Sequence, residues 1–176
     1  MKQIVDIPRT AMEVFNMLPE GTRCEVIDNT IYMSPSPTID HQRLLLKIAR
    51  FLESFAEANN LGEVFISPCD VYLTNGTDVV QPDILFVSEA RKNIVEKTGI
   101  VGTPDIIIEL LSTNTKYDTQ KKFELYQKNS VPEYMMIDPE TKEVWHYKLV
   151  TGKYEQSGQS EKGMLRLDDL GVEITF

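Results

Sequence analysis

The stretch Gln81-Pro82-Asp83-Ile84-Leu85-Phe86-Val87, answered by Pro104-Asp105-Ile106-Ile107-Ile108-Glu109-Leu110-Leu111, decides how the chain folds. Each is a short apolar run, bounded by turn formers and rich in Ile, Leu, Phe and Val, which predicts a strand buried on both faces. Each also carries a carboxylate. In a low-dielectric interior an unpaired carboxylate is costly, and it stays ionised only beside a cation, a metal or a dense set of donors. Glu109 therefore requires a partner from elsewhere in the chain.

At 176 residues the chain suits one domain, 1–176, because a domain of about 150 residues already buries roughly 70% of its unfolded surface. No apolar run approaches the ~18 residues that would span a bilayer, so no membrane association is expected. The N-terminal segment lacks a basic stretch followed by a long apolar core, so no secretory signal is expected and the protein is placed in the cytoplasm. Cys24 and Cys69 stand far apart with no neighbouring thiol, which excludes a CxxC redox or zinc motif. With His41 and His146 the only histidines, a structural zinc cage is excluded as well. A formal charge of −9 opposes broad electrostatic attraction to nucleic acid.

Working outward, residues 23–33 alternate apolar and polar about Asp28-Asn29, which predicts a hairpin of two short strands. Ser34-Pro35-Ser36-Pro37 breaks the pattern, and Ser36 or Thr38 can cap a helix running to about Asn59. On that helix Leu44, Leu45, Ile48, Leu52 and Phe55 form one core-facing stripe. Counting back by threes and fours along the stripe reaches His41, either a member of a site or a helix-end residue satisfied by the backbone. Glu63-Val64-Phe65-Ile66 and Asp70-Val71-Tyr72-Leu73-Thr74 predict strands, and Asn75-Gly76 turns the second back into Val79-Val80, so that it pairs antiparallel with the run containing Asp83. Pro82 cannot donate to a ladder and belongs at a strand start, an edge or a bulge. Residues 88–102 are mixed and charged, with a short helix expected over 89–95 and then a loop.

After Glu109, the polar connector 112–115 leads into a helix over 117–129. Asp118, Lys122, Leu125, Tyr126 and Asn129 share one face of it, whereas Lys121 lies with Tyr117, Glu124 and Lys128 on a more polar face. Lys122 thus accompanies the apolar stripe, where a lysine either meets a buried carboxylate or snorkels to water. Val131-Pro132 ends the helix and Glu133-Tyr134-Met135-Met136-Ile137 forms another strand. The rest alternates like antiparallel strands over 144–149, 153–156 and 172–175, with turns at Thr151-Gly152 and Ser157-Gly158, as a sheet extension or an interaction surface. No phosphate-binding glycine loop occurs.

The order predicts an α/β domain with a mixed sheet that brings Asp83 and Glu109 together. Two carboxylates and a backbone carbonyl at adjacent strand ends form a hard oxygen site suited to magnesium, which takes only one or two protein carboxylates and keeps several waters. With a lysine to orient or help deprotonate water, the set suits phosphodiester hydrolysis.

These residues resemble the PD-(D/E)xK restriction-endonuclease-like superfamily, and the wider sequence resembles its Uma family of bacterial restriction endonucleases. The resemblance spans about 23–138. It rests on Glu25-Val26-Ile27-Asp28, Ser34-Pro35, His41-Gln42, Val80-Gln81-Pro82-Asp83, Ile108-Glu109-Leu110-Leu111-Ser112, Tyr117-Asp118, Lys122-Phe123-Glu124-Leu125-Tyr126 and Val131-Pro132-Glu133-Tyr134. It implies a restriction-endonuclease-like fold: a mixed β-sheet core flanked by helices, with an N-terminal hairpin and C-terminal antiparallel strands. It also implies that Asp83, Glu109 and the main-chain carbonyl of Leu110 hold Mg2+, with Mn2+ as a substitute. The superfamily lysine falls at position 111, where this chain has Leu111; the resemblance implies that Lys122, from the next helix, replaces it. Glu25 and His41 are implied as further members. Cys24 stands in place of an aromatic, Asn29-Thr30 in place of a Gly-Glu turn, and Thr113-Asn114 in place of Pro-Ser.

The leading expectation is a magnesium-dependent DNA endonuclease, working as a homodimer whose symmetry matches duplex DNA. The alternatives are a catalytically inactive binding or assembly module that keeps the fold, and a metal-dependent hydrolase of RNA or small phosphodiesters. The acidic total favours the inactive module. Lys116, Lys121, Lys122 and Lys128 against Asp118 and Glu124 leave the second long helix mildly basic, which is compatible with a narrow phosphate track.

Overall fold

Asp28 and Asn29 both take positive φ, 49° and 56°, the backbone that a two-residue hairpin turn demands and that Asp and Asn tolerate better than most residues. A computed structural model describes residues 7–111, 116–157 and 162–176, with the side chains of 120 onward described in the segment that begins at 116. The expected connector 112–115, the turn at Gly158 and the side chains of Tyr117 and Asp118 lie outside the described residues.

In chain order, α1 (Ala11–Phe15) precedes the hairpin β1 (Cys24–Ile27) and β2 (Thr30–Met33), then α2 (Ile39–Ala58), β3 (Gly62–Ile66), β4 (Val71–Leu73), β5 (Asp78–Val80) and β6 (Ile84–Ser88). A 3-10 turn over Glu89–Ile94 leads to β7 (Val95–Glu96), β8 (Gly99–Val101) and β9 (Ile106–Leu110). The chain continues through α3 (Lys116–Lys128), β10 (Glu133–Ile137), β11 (Val144–Val150), β12 (Lys153–Gln156), β13 (Met164–Leu167) and β14 (Val172–Thr175).

The strands build two larger sheets and a two-stranded one. In the central sheet the order is β12-β11-β10-β9-β6-β3. There β9 and β10 run parallel, and the remaining neighbours antiparallel. A parallel pair needs a crossover, and α3 supplies it between β9 and β10. The second sheet, β2-β1-β5-β4-β8-β7, holds one parallel pair, β4 with β8.

Helix α2 begins where Thr38 accepts a hydrogen bond from the His41 amide, 3.3 Å away. Its residues Leu44, Leu45, Ile48 and Leu52 are buried, and they pack with Ile84, Phe86, Ile106, Ile108 and Met135 on one face of the central sheet. On the other face Leu85, Val87, Ile107 and Tyr134 join Leu125 and Tyr126 of α3 and the inner residues of the second sheet. Strand β9 lies between these two cores, so all five of its residues are buried, Glu109 included. Phe55, expected in the stripe, is only partly buried at its edge.

The expected pairing of the 70–74 strand with the run of Asp83 is corrected. β4 pairs with β5, Val71 opposite Val80. The run after Asp83, β6, pairs instead with β3 (Ile66 opposite Ile84) and β9 (Ile84 opposite Ile108). The chain changes sheets across Gln81-Pro82-Asp83, where Pro82 has no N–H to carry either ladder through. Gly62 explains how closely β3 meets β6: a Cβ there would come within 2.1 Å of the Val87 carbonyl oxygen, at a φ of 152°. Two further elements escaped the sequence pattern. The expected loop before Gly102 contains the small hairpin β7–β8. The C-terminal strands divide: β11 and β12 extend the central sheet, whereas β13 and β14 form a separate hairpin whose Leu165, Leu167, Val172 and Ile174 close the core under α2.

Candidate metal and phosphodiester site

Asp83 stands at the sheet change and Glu109 near the end of β9, and the antiparallel pairing of β6 with β9 fixes their proximity. The amide of Leu110 donates to Asp83 Oδ2 at 2.8 Å, so the residue following Glu109 holds the other carboxylate. His41, one turn into α2, places Nε2 3.0 Å from Asp83 Oδ1. An ionised carboxylate only accepts, so Nε2–H is the donor. The reading of His41 as a helix-end residue satisfied by the backbone is replaced by this contact, and both Asp83 and His41 are buried.

From α3, Lys122 Nζ lies 3.0 Å from Glu109 Oε1 and 2.8 Å from Glu25 Oε1. It does not snorkel to water; it joins two buried acids, one from each large sheet. Glu25 Oε1 also accepts the Gln81 amide at 2.8 Å, which ties β1 to the sheet change. The Tyr126 hydroxyl donates to Glu109 Oε1 at 2.7 Å. Tyr126 was not singled out as a site member, although its spacing of four from Lys122 placed both on one helix face.

Glu25 and Glu109 thus converge on one fixed cation, with Asp83 close enough for its charge to act on Glu109. The Glu109 carboxyl is raised to about 7, chiefly by burial; the Lys122 ammonium pulls it down, the charges of Asp83 and Glu25 push it up, and the Tyr126 hydrogen bond lowers it. Burial alone would lower Lys122, but Glu109 and Glu25 more than reverse this and hold it protonated well above the ordinary lysine range. The ammonium is the fixed member of the cluster and Glu109 the titrating one. The Tyr126 phenol, buried beside Glu109 and Glu25, is likewise held well above its ordinary value and remains a donor.

The cluster forms the floor of a cleft of about 820 Å3 lined by β1, β2, the start of α2, the sheet change and α3. Its acids are Glu25, Asp40, Asp83, Glu109, Asp138 and Glu140, against Arg23, Lys121 and Lys122. Lys121 reaches this cleft and not a remote polar face: its ammonium lies 4.9 Å from the Tyr32 ring centroid and hydrogen-bonds the Tyr32 hydroxyl. Helix position alone did not reveal it, because Tyr32 arrives from the N-terminal hairpin. Among the described residues no group of three or more His, Cys, Asp or Glu side chains is placed to hold a metal ion. Cys24 is buried and Cys69 partly so, both as free thiols.

No curated protein matches the chain. Among solved structures, the chain is similar to "a putative nuclease belonging to DUF820" from Anabaena variabilis ATCC 29413. The two share 20% identity and a TM-score of 0.77 over 96% of this chain and 95% of that one, a likeness of fold. The model of the Uma2 family, described as "Putative restriction endonuclease", matches residues 11–176, and the chain belongs to that family.

Proposed function

We propose that the protein is a magnesium-dependent endonuclease that hydrolyses phosphodiester bonds of DNA. The observation that carries this reading is that Asp83 and Glu109 lie together in one cleft, Asp83 held by His41 and the Leu110 amide and Glu109 paired with Lys122, which also pairs with Glu25. Family membership and the nuclease description of the similar structure support the same reaction class.

The donor chemistry fits a hard divalent ion. Three buried carboxylates, Glu25, Asp83 and Glu109, line the cleft with Lys122; burial first, and then the charges of Asp83 and Glu25, push Glu109 upward. Each oxygen of Asp83 takes one donor, from His41 or from the Leu110 amide, which leaves lone pairs for an ion. Asp83, Glu109 and the Leu110 carbonyl would hold Mg2+ or Mn2+, a ligand count within what magnesium accepts. When bound, such an ion polarises the phosphate and lowers the pKa of water.

The chain's own groups do the positioning. His41 fixes one oxygen of Asp83 and the Leu110 amide the other, so the carboxylate is preorganised. Tyr126 orients Glu109. Lys122, held protonated between Glu25 and Glu109, acts as a donor that orients the attacking water and meets the negative charge growing on the phosphate; it is not a base. Acids outnumber cations along the lining, a charge that a bound divalent ion would offset for a polyanionic substrate. A homodimer, matching the two-fold of the duplex, belongs to the same proposal.

The test is cleavage of duplex DNA with magnesium, with chelator, and by Asp83→Ala. Cleavage confined to the magnesium-loaded native chain is expected; equal cleavage in all three rejects the reading. A parallel panel of RNA and small phosphodiesters identifies a different substrate if one of them is turned over faster.

A further inference from the structure

Among the described residues, three buried side-chain polar atoms find no hydrogen-bond partner: Arg23 Nε, Ser67 Oγ and Tyr134 OH. Two of these three residues, Arg23 and Tyr134, line the same cleft. Buried hydroxyls and guanidinium N–H groups are nearly always satisfied, so such a coincidence marks donors that await an acceptor.

Tyr134 is fully buried on β10. Its ring packs edge-on against Tyr126, 5.0 Å between centroids, and against Phe123 at 6.3 Å, so its position is fixed by packing. Tyr134 lines the cleft together with Glu109 and Lys122; burial first, and then the Glu109 charge, hold its phenol well above the ordinary range, with Lys122 pulling the other way. Arg23 precedes β1, two residues before Glu25, and the alternation of an extended chain turns both toward the cleft. The other cleft cations are committed: Lys122 to Glu25 and Glu109, Lys121 to Tyr32. His41 is committed to Asp83. Among the described residues of the cleft, Arg23 Nε and Tyr134 OH are the buried side-chain donors without an acceptor.

We infer that the Tyr134 hydroxyl and the Arg23 guanidinium bind the non-bridging oxygens of the substrate phosphodiester, Tyr134 at the floor of the cleft beside Glu109 and Arg23 on its β1 wall. This rests on the reading of the cleft as a phosphodiester site and adds to it the groups that grip the phosphate. Arg supplies a planar fork that matches phosphate oxygens. Tyr supplies a neutral donor that adds no repulsion to the acids around it.

Tyr134→Phe removes only the hydroxyl and keeps the ring packing. Two measurements are made: melting temperature without ligand, and affinity for a short fluorescent DNA duplex with calcium replacing magnesium. Expected is a Tyr134→Phe melting temperature equal to or above that of the native chain, because an unsatisfied buried hydroxyl is lost, together with duplex binding about tenfold weaker. Arg23→Gln is expected to weaken binding and to flatten its salt dependence by about one phosphate contact. A Tyr134→Phe melting temperature several degrees lower means the hydroxyl is already bonded within the protein, and overturns the inference. So does unchanged duplex affinity in both variants, the result for a hydroxyl served by water alone. A native chain that binds no duplex overturns the endonuclease reading along with this one, whereas native binding matched by the variants overturns this one alone.

Discussion

Replacing Lys122 with Met removes the ammonium that lies 2.8 Å from Glu25 and 3.0 Å from Glu109 while keeping the length of the side chain. Breaking a buried ion pair from one side costs about 3–5 kcal/mol, because the remaining charge has lost its partner. Here two acids are stranded, and one of them can escape by taking a proton. Glu109 titrates near 7 in the fold against an ordinary 4.5. Its ionisation therefore costs the folded state about 3 kcal/mol, a penalty that grows as pH rises from about 4.5 and is complete above 7. The lysine's contribution has the opposite range: its raised pKa makes it fully present below the ordinary lysine value of 10.5 and lost only at higher pH. In Lys122→Met the downward pull on Glu109 is gone, so the carboxyl holds its proton to still higher pH. The destabilisation should be about 3–5 kcal/mol at pH 8 and smaller near pH 5, where Glu109 is protonated and only Glu25 is left without its partner. Urea denaturation at both pH values measures it, and the melting temperature at pH 8 should fall by roughly 10 °C for a chain of this size. A loss below about 1 kcal/mol at pH 8, or the same loss at both pH values, refutes the description of Lys122 as the buried counter-ion of Glu109.

Mn2+ must displace the Glu109 proton, so its affinity by calorimetry should rise up to about tenfold per pH unit below 7 and level off above; a flat profile across pH 5.5–8 contradicts the assignment. Tyr126→Phe removes a hydrogen bond that lowers Glu109, so the bend in that profile should move to higher pH with little change in its plateau. Thr38→Ala deletes the cap that His41's amide uses and should cost about 1 kcal/mol, read as a melting point lower by roughly 2–4 °C; no change means the helix start is held by other contacts.

What was legible in the sequence was local. Asp28-Asn29 announced its turn because few other residues accept two successive positive φ values, and α2 announced its buried face through Leu44, Leu45, Ile48 and Leu52. Glu109 stood out because a charge inside an isoleucine run has to be compensated, and the compensation by Lys122 is in place. What was not legible depended on partners distant in sequence. Asn75-Gly76 correctly turned β4 into β5, but nothing local revealed that the chain leaves that sheet at Pro82 and that β6 pairs with β3. Lys121 read as a solvent-facing residue because Tyr32, which it meets, lies 89 positions away. The hairpin β13–β14 is short, and its role under α2 follows from sharing one core with residues of α2, β6, β9, β10 and β11.

The most direct measurement is anomalous diffraction from a crystal soaked in manganese. The account requires one peak in contact with the carboxylates of Asp83 and Glu109 and with the Leu110 carbonyl, at about 2.1 Å, lost in a Glu109→Gln crystal. A soaked crystal with no peak there, or with its peak at other residues, contradicts the claim that this buried acid cluster is a metal site.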